Sequence, residues 1–342
     1  MLQAGIEQRA FPGASVAITH HGTLVASKGI GLFTYEPAST LVTPETIYDL
    51  ASVTKVIATT VVCMLLYERG KLRLEQRIVE VLPEFAGKDP RRPQVTFRML
   101  LAHSSGLPAY VRLFETAQNR RQLLEQAFQL PLSSEPGIRA EYSDIGFILL
   151  GEAVERIAGE ALDHFCAREI FAPLHIQSMS FNPAAERKAL IPPTENDRGF
   201  RHRVIQGEVN DENAWVMGGI AGHAGCFSTA LDVAVLAECM LAGGAPLLDL
   251  HTVELFTRRE LTPAGTSHAL GWDTPSLPSQ SGKYFSPRSY GHLGFTGTSL
   301  WIDPERRLSV TLLSNRTWPD RGSQGIKQIR PAFHDAVIEA LK

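Results

Sequence analysis

The sequence predicts a mixed α/β fold, with one α/β domain assembled from both ends of the chain and a helical domain inserted between them. Strand-like segments with β-branched residues and turn signals occur near both ends of the 342-residue chain. The middle of the chain shows apolar residues at helical spacing, with glycine or proline ending several of these stretches. Strands at both ends with helices between them are typical of one domain that both ends share.

The N-terminal part predicts a hairpin followed by a long helix. Ala14–His20 and Thr23–Ser27 are strand-like, and His21-Gly22 between them is a turn signal. Residues 50 to 69 then show an apolar helical pattern.

The rest of the chain predicts five further helices and two strands. In chain order the helices are Arg121–Leu130, Asp144–Ala158, Ala161–Phe171, Leu231–Ala242 and Ile326–Leu341, and the strands are Thr298–Ile302 and Leu308–Ser314. We therefore expect residues 1–68 and 262–342 to form the α/β domain, and residues 69–261 to form the mainly helical domain.

Composition and charge argue against several classes of protein. A hydrophobic fraction of 44% and a charged fraction of 20% are those of an ordinary globular protein. The formal net charge is -3, so no basic excess exists to neutralise nucleic-acid phosphates. The longest apolar run, Val56–Leu66, is well short of the roughly 20 residues that a membrane-spanning helix needs. We expect no nucleic-acid partner and no membrane span.

The cysteines and histidines show no pattern of a metal site. The 4 cysteines stand singly, without a Cys-x-x-Cys pair, so we expect reduced core thiols. The 11 histidines show no His-Glu-x-x-His motif or comparable cluster. We expect neither a metal ion nor a cofactor. The N-terminus has no basic start followed by an apolar stretch, so no leader is recognised and the compartment stays open.

The sharpest local feature is Ser52-Val53-Thr54-Lys55, at the start of the long apolar helix. A spacing of three places Ser52 and Lys55 one turn apart on one helix face, where the amine can reach the hydroxyl. A serine hydroxyl becomes a strong nucleophile only when a neighbour accepts its proton, and burial lowers the pKa of an amine. The pair is a candidate nucleophile and base, although the same spacing also occurs on solvated helix faces.

Two further features have both a structural and a catalytic interpretation. Tyr142-Ser143-Asp144 stands at the start of a predicted helix, where Ser143 or Asp144 would serve as an N-cap. The stretch from Gly291 to Thr298 is a glycine-rich entry into a predicted strand. Such an entry is either a tight turn or a strand edge whose backbone N–H groups stabilise an oxyanion.

In this order, the three features resemble the penicillin-recognising serine hydrolases: class C β-lactamases, D-alanyl-D-alanine carboxypeptidases and the related family VIII-type esterases. The family signature is Ser-x-x-Lys, then Tyr-x-Asn, then Lys-Thr-Gly or His-x-Gly. The stretches 100–108, 142–151 and 218–230 also resemble the family. The resemblance implies a β-lactamase/transpeptidase-like fold, with an antiparallel sheet flanked by helices, an inserted all-helical domain, and the active site between them.

The resemblance also implies the roles of the site residues. Ser52 would be the acylated nucleophile, Lys55 the residue that activates it, and Tyr142 the group that exchanges protons with the attacking and leaving groups. The oxyanion hole would consist of the N–H groups of Ser52 and Phe295. The residues implied to bind the substrate are Asp144, His292, Gly294 and Thr296.

Asp144 is the first departure from the family signature. It stands where the family has Asn, and an ionised carboxylate cannot donate to a substrate carbonyl as an amide does. We expect its charge to favour the ammonium form of Lys55. Tyr142 would then accept the Ser52 proton as a phenolate.

Leu293 is the second departure. It replaces a Thr whose hydroxyl helps to hold a substrate carboxylate in the family, and His292 remains as a cation or hydrogen-bond donor. This change favours esters or unusual peptides over penicillins. His103 is interpreted as structural, and His223, between glycine turns, as either structural or part of the cleft.

We therefore expect a serine hydrolase that acts through an acyl-enzyme on a small-molecule ester, a β-lactam or a D-amino-acid peptide. An alternative is a sensor or binding protein of the same family that is acylated and not deacylated. A hydrolase of the Ser-His-Asp type would need a Gly-x-Ser-x-Gly elbow, which the chain lacks. The oligomeric state stays open.

Overall fold

The structure, a computed structural model, describes residues 1–342 and contains a five-stranded antiparallel sheet. The strands of the protein are β1 Gly13–His20, β2 Thr23–Gly31, β3 Tyr48–Asp49, β4 Ser180–Phe181, β5 Glu195–Asp197, β6 Arg203–Ile205, β7 Cys226–Ser228, β8 Tyr290–Leu293, β9 Ser299–Asp303 and β10 Leu308–Ser314. The order of strands in the five-stranded sheet is β2-β1-β10-β9-β8. β1 and β10 pair from Ala14 opposite Ser314 to His20 opposite Leu308. The two ends of the chain thus meet within one sheet, and the predicted fold class is confirmed.

Helices cover both faces of this sheet. They are α1 Leu2–Glu7, α2 Val61–Glu68, α3 Phe97–Leu101, α4 Arg120–Ala127, α5 Asp144–Ala158, α6 Leu162–Cys166, α7 Glu212–Val216, α8 Ala230–Leu241, α9 Leu250–Thr257 and α10 Ile326–Ala340. On one face, Val16 and Ile18 of β1 join an apolar cluster with Ile329 and Phe333 of α10. Ala17 points to the opposite face, where α8 packs against β1, β9 and β10.

The position of α8 bears on the expected domain boundaries. The range 69–261, expected to be the mainly helical domain, contains α8, which packs on the sheet. We therefore propose that Ala230–Leu241 belongs with the α/β domain. The same range also holds β4 to β7, which form two small sheets together with β3. These strands have two or three residues each, too short for an alternating pattern to predict them.

The helix that begins at Ala51 is irregular in its first turns. Ala51–Val53 is a 3₁₀ turn, Lys55–Thr60 has the wider π-type turns, and α2 completes the helix to Glu68. Ala51–Glu68 has the length and apolar composition of a membrane-crossing helix, yet 83% of it is buried inside the protein. Packing in the core therefore accounts for its apolar composition. π-type turns within helices are frequent at functional sites.

Candidate active site

A cavity of about 600 Å³ opens beside the start of this helix. Its lining includes residues of the turn before α2, of the N-terminal end of α5, and of the end of β8 with the loop that follows. The predicted site residues among its lining are Ser52, Tyr142, Asp144, His292, Gly294 and Phe295. Lys55 is fully buried behind the cavity wall.

The turn that presents Ser52 is held by a buried carboxylate. The N–H of Ala51 donates to Asp49 Oδ1 at 2.8 Å, and the N–H of Asn210 donates to Asp49 Oδ2 at 2.6 Å. Burial raises the pKa of Asp49 to about 6. Ala51 has a φ of 47°, in the left-handed region that residues with a Cβ rarely adopt. Such strained residues cluster at functional sites, and this one directly precedes Ser52.

Lys55 reaches Ser52 as the spacing predicts. Its Nζ donates to Ser52 Oγ at 3.0 Å, to Asp144 Oδ1 at 2.6 Å and to the backbone carbonyl of His223 at 2.9 Å. Burial lowers the pKa of Lys55, and the Asp144 carboxylate opposes that shift. An ammonium has three N–H bonds, and the three acceptors match them. The geometry therefore favours the ammonium form of Lys55 paired with the Asp144 carboxylate.

Tyr142 and Asp144 are fixed by the N-terminal cap of α5. Ser143 Oγ accepts from the N–H of Gly146 at 3.0 Å, so Ser143 is the N-cap. The N–H of Ser143 donates to His103 Nδ1 at 3.0 Å, which agrees with the structural interpretation of His103. Asp144 occupies the first turn of α5, where its negative charge is favourable.

Hydrogen-bond balance assigns the protons around Tyr142. Tyr142 Oη lies 2.8 Å from Ser52 Oγ and 3.1 Å from Asp144 Oδ1. A carboxylate only accepts, so the phenol donates to Asp144 and the Ser52 hydroxyl donates to the phenol oxygen. Burial, reinforced by Asp144, raises the pKa of Tyr142 well above its usual value. A stable Tyr142 phenolate is therefore disfavoured, contrary to expectation.

Two backbone N–H groups face the cavity without an acceptor in the chain. The N–H groups of Ser52 and Phe295 make no intramolecular hydrogen bond, and both residues line the cavity. The hydroxyls of Thr296 and Thr298 donate to the carbonyls of Asp49 and Leu50, at 2.8 and 2.9 Å. These bonds join the loop of Phe295 to the turn of Ser52. The arrangement fits an oxyanion hole, in which donors are fixed before charge develops.

The side chains of the β8 loop differ from the expectation. Thr296 is 1% exposed and its hydroxyl donates to the carbonyl of Asp49, which argues against its expected contact with the substrate. His292 Nδ1 lies 2.8 Å from the carbonyl of Leu293, which can only accept, so Nδ1 bears the proton. Burial, assisted by Lys55, lowers the pKa of His292 to about 4. This favours a neutral His292 near pH 7 and argues against its interpretation as a cation.

Gly294 lies where a side chain would not fit. A Cβ at this position would stand 1.9 Å from Thr298 Oγ1 and 2.5 Å from the carbonyl of Leu50. The glycine therefore lets the loop approach the turn of Ser52 closely.

Several charged cavity residues carried no recognisable sequence signal. His223, left open above, lines the cavity, and its Nε2 lies 2.8 Å from Asp211 Oδ1. The lining residues that sequence reasoning missed include Asp211, Glu212, His268, Asp273, Arg316 and Arg321. They lie on loops or at element ends distant in the chain, so only the folded structure shows that they meet.

Known proteins are similar to this chain in sequence. Residues 1–331 match the Beta-lactamase family. A protein of Escherichia coli K12 named "Putative D-alanyl-D-alanine carboxypeptidase" is 34% identical, over 90% of this chain and 79% of that protein. An N-acetylmuramyl-L-alanine amidase of Bacillus subtilis 168 is 33% identical, over 90% of this chain and 77% of that protein.

Solved structures share the fold. EstCE1, a hydrolase with promiscuous acyltransferase activity, superposes with a TM-score of 0.78 at 23% identity, covering 97% of this chain and 96% of its own. The octameric penicillin-binding protein homologue of Pyrococcus abyssi gives a TM-score of 0.77 at 22% identity, covering 99% of this chain and 76% of its own. The chain belongs to the beta-lactamase family, the penicillin-recognising serine hydrolases that act through an acyl-enzyme.

Proposed function

We propose that Ser52 is the nucleophile of this hydrolase and that Lys55, Tyr142 and Asp144 handle its proton. One observation carries the proposal: Ser52 Oγ lies 3.0 Å from Lys55 Nζ and 2.8 Å from Tyr142 Oη, at the wall of the cavity. The unpaired N–H groups of Ser52 and Phe295 support the same assignment, since acyl transfer develops charge on the carbonyl oxygen.

The hydrogen-bond chain from Ser52 through Tyr142 to Asp144 gives the proton a path. As Oγ bonds to the substrate carbonyl carbon, its proton passes to Tyr142 Oη, and the phenol proton passes to Asp144. This relay needs no stable phenolate. The Lys55 ammonium contacts both Ser52 Oγ and Asp144, so it stabilises the developing negative charge.

The proton returns when the tetrahedral intermediate collapses. The bond from the carbonyl carbon to the leaving oxygen or nitrogen breaks, and Tyr142 protonates the leaving atom while Asp144 returns a proton to Tyr142. In deacylation, water takes the place of the leaving group and passes a proton along the same path. Ser52 then leaves with the proton that Tyr142 supplies.

The substrate class follows from relatives and from the cavity. The relatives named carboxypeptidase and amidase act, by those names, on amide bonds of D-alanyl and N-acetylmuramyl-L-alanyl compounds. We propose a small ester or peptide amide of this kind as the substrate. Leu293 lines the cavity where the family has a hydroxyl, which favours these substrates over penicillins.

Intact mass spectrometry with a substrate panel tests the proposal. The panel combines p-nitrophenyl esters, a chromogenic cephalosporin and D-alanyl-D-alanine peptides, with wild type, Ser52→Ala and the distant control Ser27→Ala. We expect wild type and Ser27→Ala to turn over esters or peptides and to react with a fluorophosphonate. Ser52→Ala should do neither, because it lacks the nucleophile. Labelling of Ser52→Ala at another serine would contradict the assignment, and a wild-type adduct that persists would favour the acylated sensor.

A further inference from the structure

Asp273 is a cavity carboxylate for which the proposed mechanism has no use. Four carboxylates line the cavity: Asp144, Asp211, Glu212 and Asp273. Asp144 pairs with Lys55, and Glu212 pairs with Arg321. Asp211 is the N-cap of α7, where its Oδ1 accepts from the N–H of Ala214 at 2.8 Å. The same oxygen lies 2.8 Å from His223 Nε2.

The carboxylate of Asp273 is incompletely paired. Oδ1 accepts from the Ser267 hydroxyl at 3.1 Å and lies 3.3 Å from His268 Nδ1, while Oδ2 has no hydrogen-bond partner and no Lys or Arg is within ion-pair distance. Its side chain is 32% exposed, against 16% for Asp144, 21% for Asp211 and 9% for Glu212. Its contact with His268 keeps the pKa of Asp273 below its usual value despite burial. A negative charge therefore stands at the cavity wall, open to a ligand.

Backbone pairing fixes where Asp273 stands. Its N–H donates to the carbonyl of Gly291 at 2.8 Å, and its own carbonyl accepts from the N–H of Gly291 at 2.9 Å. Asp273 is thus attached to the outer edge of β8, next to His292. The His103 ring lies between this side and the catalytic phenol, with its centroid 4.9 Å from that of His268 and 4.8 Å from that of Tyr142.

The three arginines of the cavity lining have their partners elsewhere, and Arg330 donates to the carbonyl of Thr298 at 3.3 Å. Arg316 donates to the carbonyl of Phe295 at 2.7 Å, and Arg316 and Arg321 stand over the Phe295 ring, 4.4 and 5.6 Å from its centroid. The Asp273 side is therefore the one suited to a positive charge.

We propose that Asp273 binds a cationic group, such as an ammonium, on the leaving part of the substrate. This inference rests on the proposed function, because it uses Tyr142 as the proton donor to the leaving atom and places the cation on the side of Tyr142. A substrate of this kind is an ester whose leaving alcohol carries a positively charged nitrogen, or an amide whose leaving amine carries a second, positively charged nitrogen.

Matched thioesters test the charge alone. We would compare S-acetylthiocholine, its neutral isostere with a tert-butyl group in place of trimethylammonium, and S-acetyl-3-mercaptopropionate, with thiol release as the readout. Each kcat/KM is divided by the rate constant of alkaline hydrolysis, which removes the intrinsic reactivity of the leaving group. The proteins are wild type, Asp273→Asn, Asp273→Glu and the distant charge control Glu45→Gln.

We expect wild type to prefer the cationic over the neutral thioester by about twofold to fivefold at low salt, as for a partly exposed ion pair. The preference should fall as salt screens the charge. Asp273→Asn should bring the ratio close to one, while Asp273→Glu and Glu45→Gln should retain a preference. The ratio in wild type needs no variant, so the test stands even if Asp273→Asn folds poorly.

The outcomes separate the two proposals. Wild type that hydrolyses the thioesters without a cation preference would overturn the role of Asp273 and leave the nucleophile in place. The same conclusion follows if Asp273→Asn keeps the wild-type ratio. Turnover that survives Ser52→Ala would instead overturn the proposed function, on which the role of Asp273 rests.

Discussion

The two walls of the cavity use their residues differently. On the wall formed by the Ser52 turn and α5, side chains perform the proposed chemistry, and Ser52, Lys55, Tyr142 and Asp144 form one hydrogen-bonded group. On the wall formed by β8 and its loop, the backbone contributes the N–H of Phe295, while the hydroxyl of Thr296 is used in packing. A residue that matches a family motif can therefore either take part in the proposed chemistry or hold the loops of the site in place.

Local geometry explains why the first wall was the more predictable. Ser52 and Lys55 are one helical turn apart, so their contact needs only the local backbone. Thr296 instead meets Asp49, 247 positions away in the chain, and no local pattern shows that bond.

We expect the largest effect from Asp144→Asn, which tests the side chains of the first wall. Removal of the carboxylate takes away the end of the proposed proton path and the group that opposes the lowering of the Lys55 pKa. We expect kcat near pH 7 to fall by about 100-fold or more, the scale of a lost general base. The rising limb of the pH profile should move, because Lys55, with its pKa lowered further, becomes the available base.

The measurement is kcat/KM against pH for wild type, Asp144→Asn and Asp163→Asn, the last being a first-turn carboxylate of α6 away from the cavity. Profiles of wild type and Asp144→Asn that superimpose would mean that Asp144 only stabilises the N-terminus of α5.

His292→Asn tests the neutral state of the second wall. Because the pKa of His292 is lowered to about 4 in the folded protein, the unfolded chain takes up this proton first as pH falls below 6.5. Wild-type stability should therefore decline from pH 6.5 towards pH 4, by up to about 3 kcal/mol from this residue. The side chain of Asn can still donate to the Leu293 carbonyl, but it does not take up a proton between pH 7 and pH 4.

The free energy of unfolding, measured from pH 7 to pH 4, should thus fall less steeply in His292→Asn than in wild type. The exposed His251→Asn serves as the control. Equal slopes in wild type and His292→Asn would show that folding does not lower the pKa of His292, and a wild type that gains stability relative to His292→Asn as pH falls would show a His292 cation in the folded protein.

Leu293→Thr tests substrate selection by the second wall. The new hydroxyl would restore a donor to a substrate carboxylate, and a hydrogen bond to a charged group is worth roughly 1.5 kcal/mol. We expect cephalosporin turnover to rise by up to about tenfold, with little change for an uncharged ester. Efficient cephalosporin hydrolysis by the wild type would contradict this argument.

Thr296→Val should have the smallest effect on catalysis. Loss of the Thr296 hydroxyl leaves the buried carbonyl of Asp49 without this donor, at a cost of about 1 kcal/mol in the free energy of unfolding. We expect a lower melting temperature and KM values within about twofold of wild type. A tenfold rise in KM with unchanged stability would restore the expected contact between Thr296 and the substrate.

The sequence predicted most of the sheet and long helices because these have clear periodicity. Asp144–Ala158 and Leu308–Ser314 were predicted at the bounds that α5 and β10 have. Short elements such as α1 and α7 were missed, since five or six residues give too little periodicity. Packing of α8 on the sheet depends on contacts between distant segments, which sequence patterns do not show.

The same division holds for the site. Ser52, Lys55 and Tyr142 are predicted as site residues from the motifs and the resemblance, and the structure brings all three together. The proton state of His292 depends on burial and on Lys55, and the exposure of Asp273 depends on the loops around it. Both properties depend on neighbours that only folding brings together, so no sequence pattern predicts them.

Time-resolved mass spectrometry of the wild type with p-nitrophenyl acetate tests the central claim most directly. Samples quenched with acid during turnover are digested, and the acetyl group is located on its peptide. We predict one acetyl group, on Ser52, that appears with the first release of p-nitrophenol and disappears when substrate is exhausted. An acetyl group on another residue, or turnover with no acetylated Ser52 at any time, would contradict it.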